Sequence, residues 1–320
     1  ASRWLCGNET APARRSAMAG SKAAIDLTLS PLPVVRHARD GELTKFIQQR
    51  SDGLETESVI IPMQRGDLSW TSLCVSSQVG CAMGCTFCET AQMGLLKNLP
   101  AEEIVGQVVA ARRVFGADIR NVVFMGMGEP MDNFDEVIQA VRVLTDRNSI
   151  AMGMSRITIS TVGRTDGIRR LAALGWRRIN LAVSLNAPND QIRGTIMPVN
   201  RAEPMAELRA ALLDYPLRRC QFIMIEYVLI PGVNDRADHA RQVADFLRDI
   251  PCCVNVIPYN PRRNSPWPAP APESVDQFLG WLRDEGQFCK KRITKGRGLS
   301  AACGQLGNPA ISRRAVALTE

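Results

Sequence analysis

Compact apolar runs alternate with amphipathic stretches over most of this chain, and that alternation restricts its fold more than any other feature. Residues 121–126, 156–161, 179–185, 221–230 and 253–257 read as strands, with 73–76 one more ahead of them. Between them, Ile104, Val108, Ala111 and Phe115 recur at helical spacing. So do Val137, Ala140, Val141 and Leu144, then Ala240, Val243, Ala244 and Leu247, and finally Val275, Phe278, Leu279 and Leu282. Strands apolar along their whole length are buried on both faces, as in a parallel sheet covered by helices. About six such units predict an α/β fold, a partial TIM-like (βα)6 barrel with function on the loops after the strand C-termini. A flat doubly wound sheet gives the same periodicity, so the pattern leaves that open.

The remaining segments are read around this frame. Residues 1–45, rich in Ala, Ser, Pro and Arg, read as a weakly structured N-terminal extension. Residues 46–73 read as a small β element packing on the barrel, with short strands at 54–61 and 71–77. The barrel takes 74–288, and 289–320 forms a C-terminal segment. Residues 258–272 contain Pro258, Pro261, Pro266, Pro268, Pro270 and Pro272. Such a stretch is neither helix nor central strand, and is expected to pack over something as a loop.

Composition narrows the setting. Apolar residues make up 45% and charged residues 22%, ordinary for a globular chain. No run approaches the roughly eighteen apolar residues of a membrane span. Residues 1–20 carry Arg3, Arg14 and Arg15 but no apolar h-region, so a cytoplasmic protein away from membranes is expected. The chain starts at Ala1, and Met18 is a candidate start. The net charge of +7 suits an anionic partner such as RNA, although a solvated basic surface accounts for it equally. Ten cysteines without a secretory signal point to metal or redox chemistry rather than to a disulfide scaffold.

Their spacing carries the chemistry. Cys81-Ala-Met-Gly-Cys85-Thr-Phe-Cys88 has the pattern C-x3-C-x2-C. Three thiolates so close together can grip one side of a [4Fe–4S] cluster, and the missing fourth ligand leaves one iron open for a substrate. A structural zinc site is the alternative, but it wants four closed ligands. The two histidines, His37 and His239, are far from the triad in sequence.

The triad followed by Gly126-Met-Gly-Glu129-Pro130 at a strand end resembles the radical S-adenosylmethionine (SAM) superfamily. The resemblance implies a radical SAM barrel in which the open iron chelates SAM and its reductive cleavage gives a 5′-deoxyadenosyl radical. From the residues themselves, Gly126 and Gly128 permit close backbone approach, and Glu129 can accept from an ammonium group.

Two further cysteines narrow the resemblance. Cys74 lies in Leu73-Cys-Val-Ser-Ser-Gln-Val-Gly-Cys81, and Cys303 in Ala301-Ala-Cys-Gly-Gln-Leu306. With strings such as Ile159-Ser-Thr-Val-Gly163, Ala182-Val-Ser-Leu-Asn186, Ile225-Glu-Tyr-Val228 and Ile257-Pro-Tyr-Asn-Pro261, they resemble the RlmN/Cfr family of dual-specificity radical SAM RNA methyltransferases, closer to the RlmN branch, over residues 53–306. That resemblance implies methylation of adenine C2 in rRNA or tRNA, with two SAM molecules used per methyl. Cys303 would carry the methyl group, Cys74 would resolve the protein–RNA adduct, and a disulfide bond goes with that chemistry. Glu57 matches the proposed general base, with a surface glutamate on an edge strand as the alternative. Gly128, Glu129, Ser160, Ser184, Leu185, Asn186 and Asn260 match SAM-binding positions. A flavodoxin or ferredoxin is implied as electron donor, and a monomer is expected. Lys290, Lys291, Arg292, Lys295 and Arg297, in the approach to Cys303, would favour a thiolate there or hold phosphates.

The chain also departs from the pattern. Asn186 replaces the usual histidine, Glu89 stands where a small residue is common, and the interval from Pro62 to Cys74 is longer. Lys295-Gly-Arg-Gly-Leu299 replaces a string with two acidic residues. A helical N-terminal accessory domain is expected to be reduced or absent. The alternatives are C8 methylation or another RNA by the same mechanism, a radical SAM enzyme acting on a peptide or small molecule, and an RNA-binding protein with a structural metal.

Overall fold

In the computed structural model, which describes residues 31–308 with Ala310 and Ile311, a ten-stranded sheet organises the molecule. Strands β1 (Val34–Asp40), β2 (Leu43–Gln49), β3 (Glu55–Arg65) and β4 (Leu68–Cys74) pair antiparallel in sequence order. A separate two-stranded ribbon, β5 (Gln78–Gly80) with β6 (Leu95–Asn98), brackets the cysteine triad. From β4 onward the large sheet is parallel. It runs through β7 (Ile119–Phe124), β8 (Ile157–Thr161), β9 (Asn180–Ser184), β10 (Ile223–Leu229), β11 (Cys252–Pro258) and β12 (Cys289–Lys291).

Every neighbour in this order is the next large-sheet strand along the chain, with no point at which the order reverses. A doubly wound sheet requires such a reversal. Right-handed crossovers that all advance in one direction put the helices on one face and curl the sheet around its other face. The fold is therefore the partial barrel, with β1 and β12 as open edges.

A short helix, α1 (Glu89–Gln92), follows the cysteine loop, where Thr90 and Ala91 line a central cavity; the outer layer comprises α2 (Ala101–Phe115), α3 (Phe134–Thr145), α4 (Thr165–Ala173), α5 (Asp190–Ile196), α6 (Met205–Leu213), α7 (Ala237–Leu247) and α8 (Pro272–Asp284). Neighbours pack in pairs, α2 on α3, α4 on α6 and α7 on α8. In α2, Glu102 and Glu103 occupy the first turn and Arg112 and Arg113 the last, matching the helix dipole, and Gly116 closes it in the left-handed conformation. Its inner face buries Ile104, Val105, Val108 and Ala111. Strand parity then divides the two sides of the sheet. On β10, Ile223, Ile225, Tyr227 and Leu229 are fully buried, whereas Glu226 and Val228 look into a central cavity.

Three expectations need correction. Residues 34–45 are not weakly structured but belong to β1 and β2; Val34–Asp40 is an exposed, charged edge strand with no apolar alternation to reveal it. Residues 1–30, with Cys6, Met18 and most of the region where an accessory domain was expected to be reduced or absent, lie outside the described residues. The strands expected at 54–61 and 71–77 are the arms of one hairpin, the first longer at Glu55–Arg65 and the second shifted to Leu68–Cys74, which accommodates the long interval after Pro62. The parallel sheet also continues past residue 288, because β12 pairs with β11.

Candidate active site

The strand C-termini converge on a cavity of about 1030 Å³, including the space at its mouth. Cys81, Cys85 and Cys88 line one side, on the loop between β5 and α1. Gly128 and Glu129 follow β7, Ser160 lies next to the end of β8, Ser184 ends β9 with Asn186 just beyond it, and Asn260 follows β11; all line the same space. Cys303 completes it from the C-terminal segment. Leu185 does not line it: parity turns Leu185 toward the helices, where it is fully buried and its carbonyl accepts from Arg193 Nε at 3.2 Å.

The two glycines are constrained by the protein itself. A Cβ on Gly126 would lie 2.7 Å from the Val75 carbonyl oxygen, and one on Gly128 would lie 2.6 Å from Gln78 Cβ. They let the β7 loop press against the β4–β5 connection that leads into the triad.

Glu129 is buried, and its two oxygens accept from the backbone N–H groups of Met131 at 3.0 Å and Val162 at 2.8 Å. Burial pushes its carboxyl up to about 7 despite these bonds. Asn186 takes the left-handed conformation at φ 57°, which asparagine tolerates well. Its Oδ1 accepts from Val228 N at 2.9 Å, locking the end of β9 to β10. Asn260 Nδ2 donates to the Cys303 carbonyl at 3.4 Å while its Oδ1 accepts from Arg297 Nε at 3.1 Å.

All three triad thiols are pushed up by burial, and Cys85 also feels the charge of Cys88 and Cys81. Buried thiols held upward in this way bind metal as thiolates only when a cationic centre offsets the cost. Among the described residues, no three His, Cys, Asp or Glu side chains converge as one metal ion requires. Three thiols on one loop suit a cluster that takes three cysteine ligands, whereas a structural zinc wants four.

Cys74 ends β4 just outside the cavity wall. Burial pushes its thiol up to about 12, with Cys303 adding and Arg292 opposing. The Arg292 guanidinium is pushed up chiefly by Cys303, then by Glu226 and Cys74, against the effect of burial. Arg292 Nη1 donates to Glu226 Oε2 at 3.4 Å, and Asn255 Nδ2 donates to Glu226 Oε1 at 2.8 Å. Arg292 and Glu226 both line the cavity, and the sequence reading gave neither an individual role. One signal for Glu226 was present: a lone carboxylate in Ile223–Leu229 has no place in a buried strand unless it is paired there.

Glu57 is not a surface glutamate on an edge. It sits in β3 between two paired strands, is 3% exposed, and does not line the cavity. Glu89 is also buried; its carboxylate accepts from Arg263 N at 3.1 Å, and Arg262 Nε donates to the Thr86 carbonyl at 2.8 Å. The proline-rich segment is thereby fastened over the cluster loop. All nine described cysteines are free, so the implied disulfide is not present in this structure.

The model of the radical SAM superfamily matches residues 75–247. The "Probable dual-specificity RNA methyltransferase RlmN 1" of Protochlamydia amoebophila is 44% identical over 304 residues, covering 95% of this chain and 84% of that protein. The chain belongs to the RlmN family of radical SAM RNA methyltransferases. The "Dual-specificity RNA methyltransferase RlmN" of Syntrophotalea carbinolica is 43% identical, with coverage of 84% and 70%. A solved radical SAM methyltransferase from Sphaerobacter thermophilus superposes with a TM-score of 0.83 at 40% identity, covering 95% of this chain and 88% of that one. As an RlmN-family protein the chain is an RNA-methylating enzyme that uses a [4Fe–4S] cluster and SAM. No helix among the described residues is long and apolar enough to cross a membrane.

Proposed function

We propose that this enzyme methylates the C2 carbon of an adenine in rRNA or tRNA by way of a methyl group carried on Cys303. The observation that supports this reading best is the presence of Cys303 on the wall shared with the three triad cysteines, where its charge is felt by both Cys74 and Arg292. Adenine C2 is too poor a nucleophile to take a methyl group from SAM directly, so a carrier thiol and a radical route answer one chemical need.

In this reading Cys81, Cys85 and Cys88 hold the cluster, and Gly128, Glu129, Ser160, Ser184, Asn186 and Asn260 hold SAM. The pair supplies either an electrophilic methyl group or, after one electron from a flavodoxin or ferredoxin, hydrogen-atom abstraction. Cys303 loses its proton and its sulfur bonds to the methyl carbon, while S-adenosylhomocysteine leaves with the bonding electrons. Loss of one hydrogen atom turns the Cys303 methyl group into a carbon radical that bonds to adenine C2. The adduct then would pass one electron to the oxidised centre that Cys81, Cys85 and Cys88 would hold, and its C2 proton to solvent. Cys74 attacks the Cys303 sulfur as a thiolate, a disulfide forms, and the methylene carbon leaves with the electron pair and takes a proton. The disulfide then needs two electrons from a thiol reductant before the next cycle. The adenine must leave its stack to enter the cavity.

The test is nucleoside mass spectrometry of rRNA and tRNA from cells with and without the gene, with 2- and 8-methyladenosine separated. The reading expects 2-methyladenosine only where the gene is intact, and its loss in Cys303→Ala. No change in any methyladenosine overturns it, and 8-methyladenosine moves the carbon assignment.

A further inference from the structure

Cys303 lies in a segment with almost no regular structure: a single 3-10 turn, Arg297–Leu299, precedes it. A reactive sulfur on such a segment is only as well placed as its fastenings. Most of these come from the loops above the sheet. Glu89 N donates to the Gly304 carbonyl at 2.7 Å, Thr90 Oγ1 to the Leu306 carbonyl at 2.6 Å, and Gln305 Nε2 to the Pro261 carbonyl at 3.1 Å.

One fastening is ionic and comes from the antiparallel strands. Lys45 on β2 lies diagonally across from Glu57 on β3, because Lys45 pairs with Val59 and Ile47 with Glu57. Lys45 Nζ is 2.7 Å from Glu57 Oε2 and donates to the Ser300 carbonyl at 3.0 Å. The same Glu57 Oε2 accepts from Gly307 N at 3.0 Å. The pair thus grips the segment on both sides of Cys303, with side chains only 11% and 4% exposed. Its carboxylate is directed to an ammonium and an amide rather than to the cavity.

We propose that Lys45 and Glu57 are a positioning pair that clasps residues 300–307 and sets the Cys303 sulfur for methyl transfer. This rests on the methyl-carrier reading, which the test below keeps separate.

The experiment compares Lys45→Met, Glu57→Gln and Lys45→Arg in cluster-loaded protein. Three readouts are taken: the rate of S-methylation of Cys303 by peptide mass spectrometry, amide hydrogen exchange across 300–308, and the rate of Cys303 alkylation by iodoacetamide. The clasp predicts that Lys45→Met and Glu57→Gln each slow S-methylation about tenfold at saturating SAM, with KM for SAM unchanged. Both should raise exchange and alkylation in this segment, and Lys45→Arg should restore all three. If Glu57→Gln methylates Cys303 normally yet accumulates the protein–RNA adduct, the glutamate acts on the ring proton and the proposal falls. It falls equally if Lys45→Met leaves exchange across 300–308 unchanged. Wild-type protein that never carries methyl at Cys303 would instead overturn the methyl-carrier reading, while the exchange data still report on the clasp.

Discussion

Cys74 and Glu129 are both pushed up by burial and are both needed in their deprotonated forms, so both steps should gain as pH rises. With the Cys74 thiol pushed up to about 12, its thiolate is scarce, and the fraction grows about tenfold per pH unit below that value. Release of methylated RNA from a preformed adduct should therefore accelerate with pH on that slope in single-turnover quench experiments. A flat profile would show that another group resolves the adduct. Glu129 is pushed up to about 7, so it is increasingly protonated below that pH. A carboxylate that receives an ammonium group must be ionised, so SAM affinity should weaken as pH falls through about 7. Glu129→Gln should bind more weakly and without that dependence in equilibrium binding to the reconstituted protein.

Among the elements, α2 does more than cover the sheet. Gln107 Oε1 accepts from Ser76 N at 2.8 Å and Ser58 Oγ at 2.7 Å, and Gln107 Nε2 donates to the Ser76 carbonyl at 2.9 Å. These bonds fix the turn leaving β4, immediately ahead of the triad. Gln107→Leu leaves buried backbone groups unpartnered and should cost about 2–4 kcal/mol in denaturant unfolding. A loss below about 1 kcal/mol would show that the turn finds other partners. The parallel strands from β4 to β11 and helices α2, α3, α7 and α8 were legible in the sequence because tertiary burial and local periodicity agree there. Helices α4, α5 and α6 were not. Gly167 interrupts α4, where it packs against Met131; α5 is short; and Met205–Leu213 has apolar residues around much of its circumference. The triad and Cys303, which line one cavity, stood out in the sequence through their spacing and neighbouring residues. Arg292 stood among similar charges, and only the fold separates it from Lys290 and Lys291, which are exposed.

For the whole molecule, the formal charge of +7 acts on a polyanionic substrate. Each phosphate neutralised on binding releases counterions, so RNA affinity should fall linearly with salt on a double-logarithmic plot. Filter binding between 50 and 200 mM salt would show this, and an affinity indifferent to salt would mean recognition without phosphate contacts. The architecture also sets an order of assembly. The triad and the strand ends that line the cavity lie between Cys81 and Asn260, whereas Cys303 comes from a late segment fastened back onto early strands. On the proposed reading, the residues that would grip cluster and cofactor precede in the chain the sulfur that would give their radical a destination. A chain stopped after β12 and before Cys303 would, on that reading, keep the residues that hold the cofactor and lack the sulfur that receives the methyl group.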